Sequence, residues 1–420
     1  MIRITLVFLF LFGFGFKNVA QNIERTSDFI GTPQLFPAGN QTGLPVLMLN
    51  SDNKLQLEFD DLSGGVKNFY YTYVLCDIDW KPLYNSPLDY IRGFANNKIY
   101  QYRNSSISLT KYTHYSAYLP ETNAVPSRSG NYLLKVYLDS DTSKLAFTKQ
   151  FVVVEPMSTI QAEVMQPLNS LLSRHYQHVR FDAFLANLNT FSAAQQVKAT
   201  IIQNNRWDIA QKNIAPTFVS GQRLNFSVNE NANFAGGKEW RWLDLRSFQL
   251  QTDRVETAIY GKASTEIFLK TDSSRAGQRY VYYTDLNGSF LVTNYERTDP
   301  FFQGDYGTVH FYFEPSNLPS NAEIYLSGSF TNYQLSDKWK MKPDSSGRLT
   351  TTAFLKQGYY NYQYVIKDNS GRIVPLEGDY FETENVYDVL LYYKSFTDRF
   401  TRVIGVAHIS SRTDRSGFSF

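Results

Sequence analysis

Apolar and polar residues alternate in short segments along most of the chain. In residues 131–138, Tyr132, Leu134, Val136 and Leu138 occupy every second position, and this spacing places their side chains on one face of an extended strand. Turn-forming sequences such as SGG, SRSGN and DSSG separate these runs. Short strands with turns at regular spacing are typical of β-sandwiches. The pattern therefore predicts an all-β protein.

Polar breaks group the strands into three sets, which we interpret as three β-sandwich domains in series. The expected bounds are 24–156 for the N-terminal sandwich, 157–274 for the middle sandwich, 275–404 for the C-terminal sandwich, and 405–420 for a frayed polar tail. Within the third set, Asn287 and Gly288 lie between two apolar runs. This dipeptide predicts a tight hairpin turn, because both central residues of such a turn need a positive φ.

The beginning of the chain has a different character. A positive charge at Arg3 precedes an apolar centre at residues 4–16 and a small-residue end, which is the pattern of a secretory signal peptide. We expect residues 1–20 to be removed by cleavage after Ala20 and the chain to be exported. The apolar centre is shorter than the roughly 20 residues that a spanning helix needs, so no direct membrane span is expected.

Composition narrows the functional classes. Among 420 residues, 41 lysines and arginines nearly balance 39 aspartates and glutamates, so the charge gives no reason to expect a nucleic-acid partner. Tyrosine, phenylalanine and tryptophan make up 16% of the chain, which favours strands. The single cysteine, Cys76, lies in an apolar strand sequence and is interpreted as a buried small hydrophobe.

A search for catalytic or metal-binding patterns finds none. The sequence contains no GxSxG, HExxH or P-loop motif. His175 and His178 are three residues apart, so on a strand they point to opposite faces and cannot share a metal ion. We therefore predict no catalytic residues, no metal site and no cofactor.

The sequence FAGGKEWRWLDLRS, residues 234–247, combines two tryptophans with charged residues. Read as a strand, it places Trp240 and Trp242 on one face and Glu239 and Arg241 on the other, where the two charges can pair. We expect the tryptophans to fill a core and the charged pair to face outward or toward a neighbouring domain. Tryptophan and arginine are enriched at interface hot spots, so Trp240, Arg241 and Trp242 are also candidates for a partner interface.

The third set resembles a known class of module. Residues 309–368, which include GSFTNY, a Met before a D..G turn and the strand GYYNYQYV, resemble early-set immunoglobulin-like modules related to glycogen-binding domains. In members of that class that bind sugar, an aromatic residue after the turn stacks on the ligand, and here Tyr333 stands there with Trp339 nearby. The resemblance implies a scaffold first, because a fold does not fix a function. Tyr333 and Trp339 are further candidates for a partner interface.

Motifs along nearly the whole chain carry a closer resemblance. They are FDDL, YYTYVLCDIDW, YIRGF, YTHY and SGNYLLKVY in the first set, QNNRWD and FAGGKEWRWLD in the second, and TDLNGSF, LKQGYYNYQYV, TENVYDVLLYY and DRFTRVIG in the third. In this order they resemble the plug protein family of the bacterial type IX secretion translocon. The chain departs from the family pattern at CDIDW and KEWRW, and neither change affects a residue of known role.

The resemblance implies three immunoglobulin-like or early-set β-sandwich domains in series and a non-enzymatic periplasmic protein. Its implied partner is the giant outer-membrane β-barrel of the translocon, whose periplasmic end it closes when no substrate is passing. Two alternatives stay open: a secreted carbohydrate-binding protein with an aromatic platform at Tyr333 and Trp339, and, ranked last, an outer-membrane β-barrel. An exposed aromatic platform would favour sugar, whereas buried aromatic rings would not.

Overall fold

The fold is taken from a computed structural model. It describes residues 24–415 except 84–85, 187, 189, 228–229, 317–321 and 368–372. Strands make up 49% of it and helices 5%, which confirms an all-β fold of the β-sandwich type. The expected signal peptide at residues 1–20 lies outside the described residues. We name the three parts of the molecule by their hydrophobic cores, as the first, second and third units.

The first unit is a sandwich formed by residues 24–156. Its elements are β1 Ile30–Pro37, β2 Val46–Met48, β3 Leu55–Asp61, β4 Phe69–Cys76, β5 Ile91–Gly93, β6 Asn97–Lys98, β7 Gln101–Asn104, β8 Thr113–Leu119, β9 Ala124–Pro126, β10 Gly130–Leu138 and β11 Leu145–Val154, with a short 3-10 helix at Pro87–Asp89. One layer is the four-stranded sheet β1-β3-β8-β7. Its core contains Phe59 from β3, Tyr73 from β4 and Leu134 from β10, all almost fully buried.

The second unit begins with a run of strands that follows the first unit. Its elements here are β12 Ser158–Met165, β13 Tyr176–Leu185, α1 Ala193–Gln196, β14 Val197–Gln203, β15 Arg206–Ile214, β16 Phe218–Ser220, β17 Arg223–Asn225 and β18 Asn233–Ala235, with a 3-10 helix at Glu230–Ala232. Strands β12, β13, β16, β17 and β18 form one five-stranded sheet. This sheet covers an apolar core that includes Val179, Ile201 and Phe226.

The third unit, residues 241–381, is a sandwich of a five-stranded and a six-stranded sheet. Its elements are β19 Arg241–Asp244, β20 Val255–Tyr260, β21 Thr265–Leu269, β22 Asp272–Ser273, β23 Phe290–Val292, α2 Pro300–Gln303, β24 Tyr306–Glu314, β25 Glu323–Ser327, β26 Lys342–Pro343, β27 Leu349–Lys356, β28 Gly358–Lys367 and β29 Ile373–Pro375, with a 3-10 helix at Ser329–Thr331. Leu243, Val309 and Tyr362 lie in its core. The expected turn at Asn287 and Gly288 has positive φ at both residues, 51° and 83°.

The chain then returns to complete the second unit with β30 Val386–Tyr393 and β31 Arg402–Ser410. Strand β30 pairs with β14 from Val197↔Tyr393 to Gln203↔Tyr387. Val389, Leu391 and Ile404 enter the same core as the earlier strands.

One nine-stranded sheet joins the first and second units. Its order is β15-β14-β30-β31-β11-β10-β4-β6, with β2 added on β11. The joint is the parallel contact of β11 with β31 at Val154↔Val403, supported by the bond from the Glu155 N–H to the Val403 carbonyl, 2.9 Å. A further apolar cluster, which includes Val154, Val403 and Trp80, crosses this joint. The two sandwiches therefore share a layer and cannot hinge at residue 156 without breaking it.

Two expectations about domain bounds are wrong. The boundary at 274/275 is overturned because β19 pairs with β28 and β21 pairs with β24, so residues from 241 onward belong to the third unit. The frayed tail at 405–420 is overturned through Ser410, because Ile404 and Ile409 bury their side chains on β31. Residues 416–420 lie outside the described residues. The cause is the same in both cases: a pattern along the chain shows strands, but it does not show their partners.

Candidate interaction site

The tryptophan strand lies with its charged face inward. Strand β19 pairs with β28 at Arg241↔Tyr362, and Leu243 and Leu245 on the same face are 0% and 1% exposed. Trp240 is buried, as expected, but Trp242 is only half-buried and packs between Tyr283 and Arg254, at 4.9 and 4.5 Å. The expectation that both tryptophans fill the core is therefore wrong for Trp242, because the two leucines take the core face.

Arg241 is held at the centre of a buried set of carboxylates. Its Nε donates to Glu377 at 2.9 Å, its Nη1 to Asp272 at 2.8 Å, and its Nη2 to the Ser273 carbonyl at 2.7 Å. Burial opposes the charged form, but the carboxylates of Glu377 and Asp272 outweigh it and raise the pKa of Arg241. The expectations that Arg241 faces outward and pairs with Glu239 are wrong, because its guanidinium binds the buried carboxylates of Glu377 and Asp272. Only 4% of the side chain is exposed, so Arg241 acts within the fold.

Glu239 is also buried and takes a different partner. It accepts a hydrogen bond from the Tyr280 hydroxyl at 2.5 Å. Burial raises the pKa of Glu239 to about 7, although the Tyr280 bond lowers it in part. The nearby Asp285, which accepts from the backbone N–H of Trp240, has its pKa raised by burial to about 6. These carboxyl groups therefore change charge near neutral pH.

The two aromatic residues of the sugar alternative do not form an exposed platform. Trp339 lies in the third core against Phe330, and only 8% of it is exposed. The ring of Tyr333 makes a T-shaped contact with Trp240 at 6.2 Å, and the guanidinium of Arg206 lies 4.7 Å from its centre. Tyr333 therefore joins the β14–β15 hairpin of the second unit to the third unit and is only partly exposed.

A charged cluster that the sequence reasoning missed connects the first and third units. We call Asp60, Glu58, His114, Lys356 and Tyr306 the ion cluster. The Asp60 carboxylate on β3 accepts from Lys356 Nζ on β27 at 2.5 Å, from the Tyr306 hydroxyl on β24 at 2.5 Å, and from His114 Nδ1 on β8 at 2.7 Å. The side chains of Asp60 and Lys356 are both 1% exposed. A buried ion pair therefore bridges two of the three units.

Geometry fixes the charge of His114. Its Nε2 lies 2.7 Å from Glu58 and its Nδ1 2.7 Å from Asp60, and an ionised carboxylate can only accept a hydrogen bond. Both ring nitrogens must donate, so the imidazole is protonated. Although burial lowers the pKa of His114, the bonds to Asp60 and Glu58 raise it above the ordinary value. Burial raises the pKa of Asp60, but the interactions with Lys356 and His114 lower it by more. The pKa of Asp60 therefore lies below its usual range.

A sequence signal for this cluster existed. Asp60, His114 and Lys356 belong to FDDL, YTHY and LKQG, which are among the motifs that carry the family resemblance. Each is a charged or titratable residue within a strand that is otherwise mostly apolar. Such residues need a partner when they are buried, but the sequence does not say that these residues share one.

Other predicted features are located as follows. Cys76 is buried, and burial raises the pKa of its thiol to about 12. His175 bonds the Asp379 carbonyl, and His178 bonds Asn233 and the Ser227 carbonyl. Among the residues that the structure describes, no group of three or more histidine, cysteine, aspartate or glutamate side chains is placed to hold a metal ion. In the same residues, no helix combines the length and apolar character needed to cross a bilayer.

Comparison with known proteins finds a family match for the first unit and a structural match for most of the chain. A family described as "Type 9 secretion system plug protein 1st domain" matches residues 30–155, which is the first unit. A crystal structure of a hypothetical protein from Parabacteroides merdae matches with a TM-score of 0.87 and 29% identity, covering 92% of this chain and 98% of that one. No curated protein matches the chain. Residues 30–155 therefore match the first domain of type 9 secretion system plug proteins, which supports the resemblance that the motifs carry.

Proposed function

We propose that this protein is a non-enzymatic periplasmic plug. It is exported by its cleaved signal peptide and binds the giant outer-membrane β-barrel of the type IX secretion translocon from the periplasmic side. It closes the pore while no substrate is passing. The match of residues 30–155 to the plug family supports this role.

One structural observation carries the proposal: the three units are joined by buried contacts. The first and second units share the nine-stranded sheet, and the ion cluster joins the first unit to the third. Tyr333 and Arg206 join the second to the third. A wide pore is blocked well by a rigid body and poorly by a flexible string, because linked domains with weak interfaces move relative to one another. The fused architecture fits occlusion.

The carbohydrate alternative is weakened, because Trp339 is buried and the ring of Tyr333 already contacts Trp240 and Arg206 within the fold. Trp240 and Arg241, which were candidates for contact with the barrel, are buried and are therefore not accessible to a partner. Of the five candidates, the half-exposed Trp242 and Tyr333 retain some access to solvent. The contact surface for the barrel must therefore include other residues.

Affinity purification tests the proposal. The tagged protein is isolated from detergent-solubilised outer membranes of its own bacterium, and mass spectrometry identifies what accompanies it, with an unrelated tagged periplasmic protein as the control. Recovery of one very large outer-membrane barrel in near-equal amount is the expected result. A protein that stays alone in this experiment and is retained on polysaccharide would contradict the plug and put the carbohydrate alternative in its place.

A further inference from the structure

A crevice runs along β1, between the first and third units. It consists of a cavity of 140 Å³ and a cavity of 370 Å³. Both are lined by Pro33, Phe290, Ser329 and Asn332, so they are adjacent. We call them together the β1 crevice. Strand β1 ends its four-stranded sheet, so one strand edge borders the crevice.

The backbone of β1 is distorted where it borders the crevice. The pairing register with β3 shifts between Gly31 and Gln34, and Thr32 has φ 46°. A β-branched residue in the left-handed region is a rare outlier, and bulges at sheet edges often turn a side chain toward a functional site. The third unit fixes this distortion, because the Thr32 hydroxyl bonds the Tyr306 hydroxyl. A Cβ on Gly31 would lie 2.4 Å from the same oxygen.

Beside the bulge, Gln34 presents an unused acceptor to the smaller cavity. Only 7% of Gln34 is exposed. Its Nε2 makes a long contact of 3.5 Å with the Phe290 carbonyl, and its Oε1 accepts no hydrogen bond from the described residues. Leaving a buried acceptor unsatisfied costs about 1–3 kcal/mol. A ligand that donates an N–H or O–H group would remove this cost.

The charges around the smaller cavity are already neutralised. Lys149 pairs with Glu24 at 2.7 Å, and Arg206 pairs with Asp208 at 2.6 Å. The smaller cavity therefore suits a neutral group that can donate a hydrogen bond.

We propose that the β1 crevice binds an extended, uncharged polypeptide segment of a secretion-system partner. Extended segments dock on exposed sheet edges through main-chain hydrogen bonds, and pockets beside the edge select their side chains. Here the segment lies along β1 and donates an N–H or O–H group to Gln34 Oε1. This inference rests on the proposed function, because it assigns a docking surface to the plug.

Photo-crosslinking in the native bacterium tests the docking surface. A benzophenone amino acid replaces Phe354, which lines the larger cavity and is 45% exposed, or Phe396, which is 65% exposed and lines neither cavity. We expect the Phe354 position to crosslink to one segment of an outer-membrane component at least tenfold more than the Phe396 position. Equal or absent crosslinking, or an adduct that carries carbohydrate instead of polypeptide, would overturn the inference.

A second variant isolates Gln34. Gln34→Met keeps the shape of the side chain and removes the acceptor, so the Phe354 crosslink should fall about fivefold with no loss in thermal midpoint. Gln249→Met, an exposed glutamine outside the crevice, should leave the crosslink unchanged. An unchanged crosslink in Gln34→Met would contradict the role of Gln34. If the barrel still co-purifies while the crosslinks are absent, only the docking surface fails; if it does not co-purify, the proposed function fails as well.

Discussion

Replacing Lys356 with methionine is the sharpest probe of the joint between the first and third units. The change keeps the apolar stem and removes the cation that Asp60 accepts from at 2.5 Å. Both side chains are 1% exposed, and breaking a buried pair by removing one partner costs about 3–5 kcal/mol, since it leaves a buried charge uncompensated. His114 and Tyr306 still donate to Asp60, so we expect the lower end, about 3 kcal/mol.

The assay is urea unfolding at pH 7, combined with hydrogen exchange measured by mass spectrometry. Faster exchange is expected in β3, β8, β24 and β27, because the ion cluster holds these strands together. Lys144→Met is the matched control: Lys144 pairs with Asp139 at 3.1 Å, but the two side chains are 53% and 56% exposed. Such a surface pair is worth about 0–1 kcal/mol. A Lys356→Met cost no larger than that of the control would refute the argument that the buried pair fixes the joint.

Three further predictions concern other buried positions. Glu239→Gln should stabilise the protein increasingly as the pH rises. Burial raises the pKa of Glu239 from 4.5 to about 7, so the ionised carboxylate above pH 7 lowers the unfolding free energy of the wild type by about 2.5 × 1.36, or roughly 3 kcal/mol. Unfolding at pH 5 and pH 8 should show this gain, and exposed Glu256→Gln should not; a gain that does not change with pH contradicts it. The pKa of His114 is raised in the folded protein, so protonated His114 stabilises the fold fully below about pH 6.5, and this contribution is lost as the pH rises through the pKa of the folded state. His114→Gln should therefore show a smaller fall in unfolding free energy with rising pH than the wild type. Identical pH profiles for variant and wild type would oppose this. Gly288→Ala should lower the thermal midpoint more than Gly277→Ala, since both have positive φ but only at Gly288 would a Cβ lie 2.7 Å from Trp240; equal losses would mean that this contact is unimportant.

The sequence predicts strands well and their partners poorly. The alternation in residues 131–138 corresponds to β10, Gly130–Leu138, although the residues on both faces of this strand are mostly buried. The partner of β19 is β28, more than 100 residues later, and no local pattern contains that information. For the same reason, the sequence pattern did not predict that β30 and β31 return to the second unit.

The candidate site was harder to predict, because charged side chains usually lie on the surface, whereas several of those at this site are buried and paired. Arg241 was expected to face outward, but Asp272 and Glu377 satisfy it inside the third unit. Asp60 and Lys356 are 296 residues apart in the chain, so their pairing depends on the arrangement of whole units. The aromatic pair Tyr333 and Trp339 matched a sugar-binding pattern in sequence, but only the fold shows that Trp339 is buried and that Tyr333 contacts Trp240 and Arg206.

Permeability of the outer membrane tests the central claim most directly. Entry of a large fluorescent dye is measured in the wild-type bacterium, in a strain lacking this protein, in that strain complemented with the wild-type chain, and in a strain lacking both this protein and the translocon barrel. A plug predicts faster dye entry after deletion of the chain, recovery on complementation, and no increase when the barrel is also absent. Unchanged dye entry after deletion, or an increase that persists without the barrel, would contradict the claim that this protein seals the translocon pore.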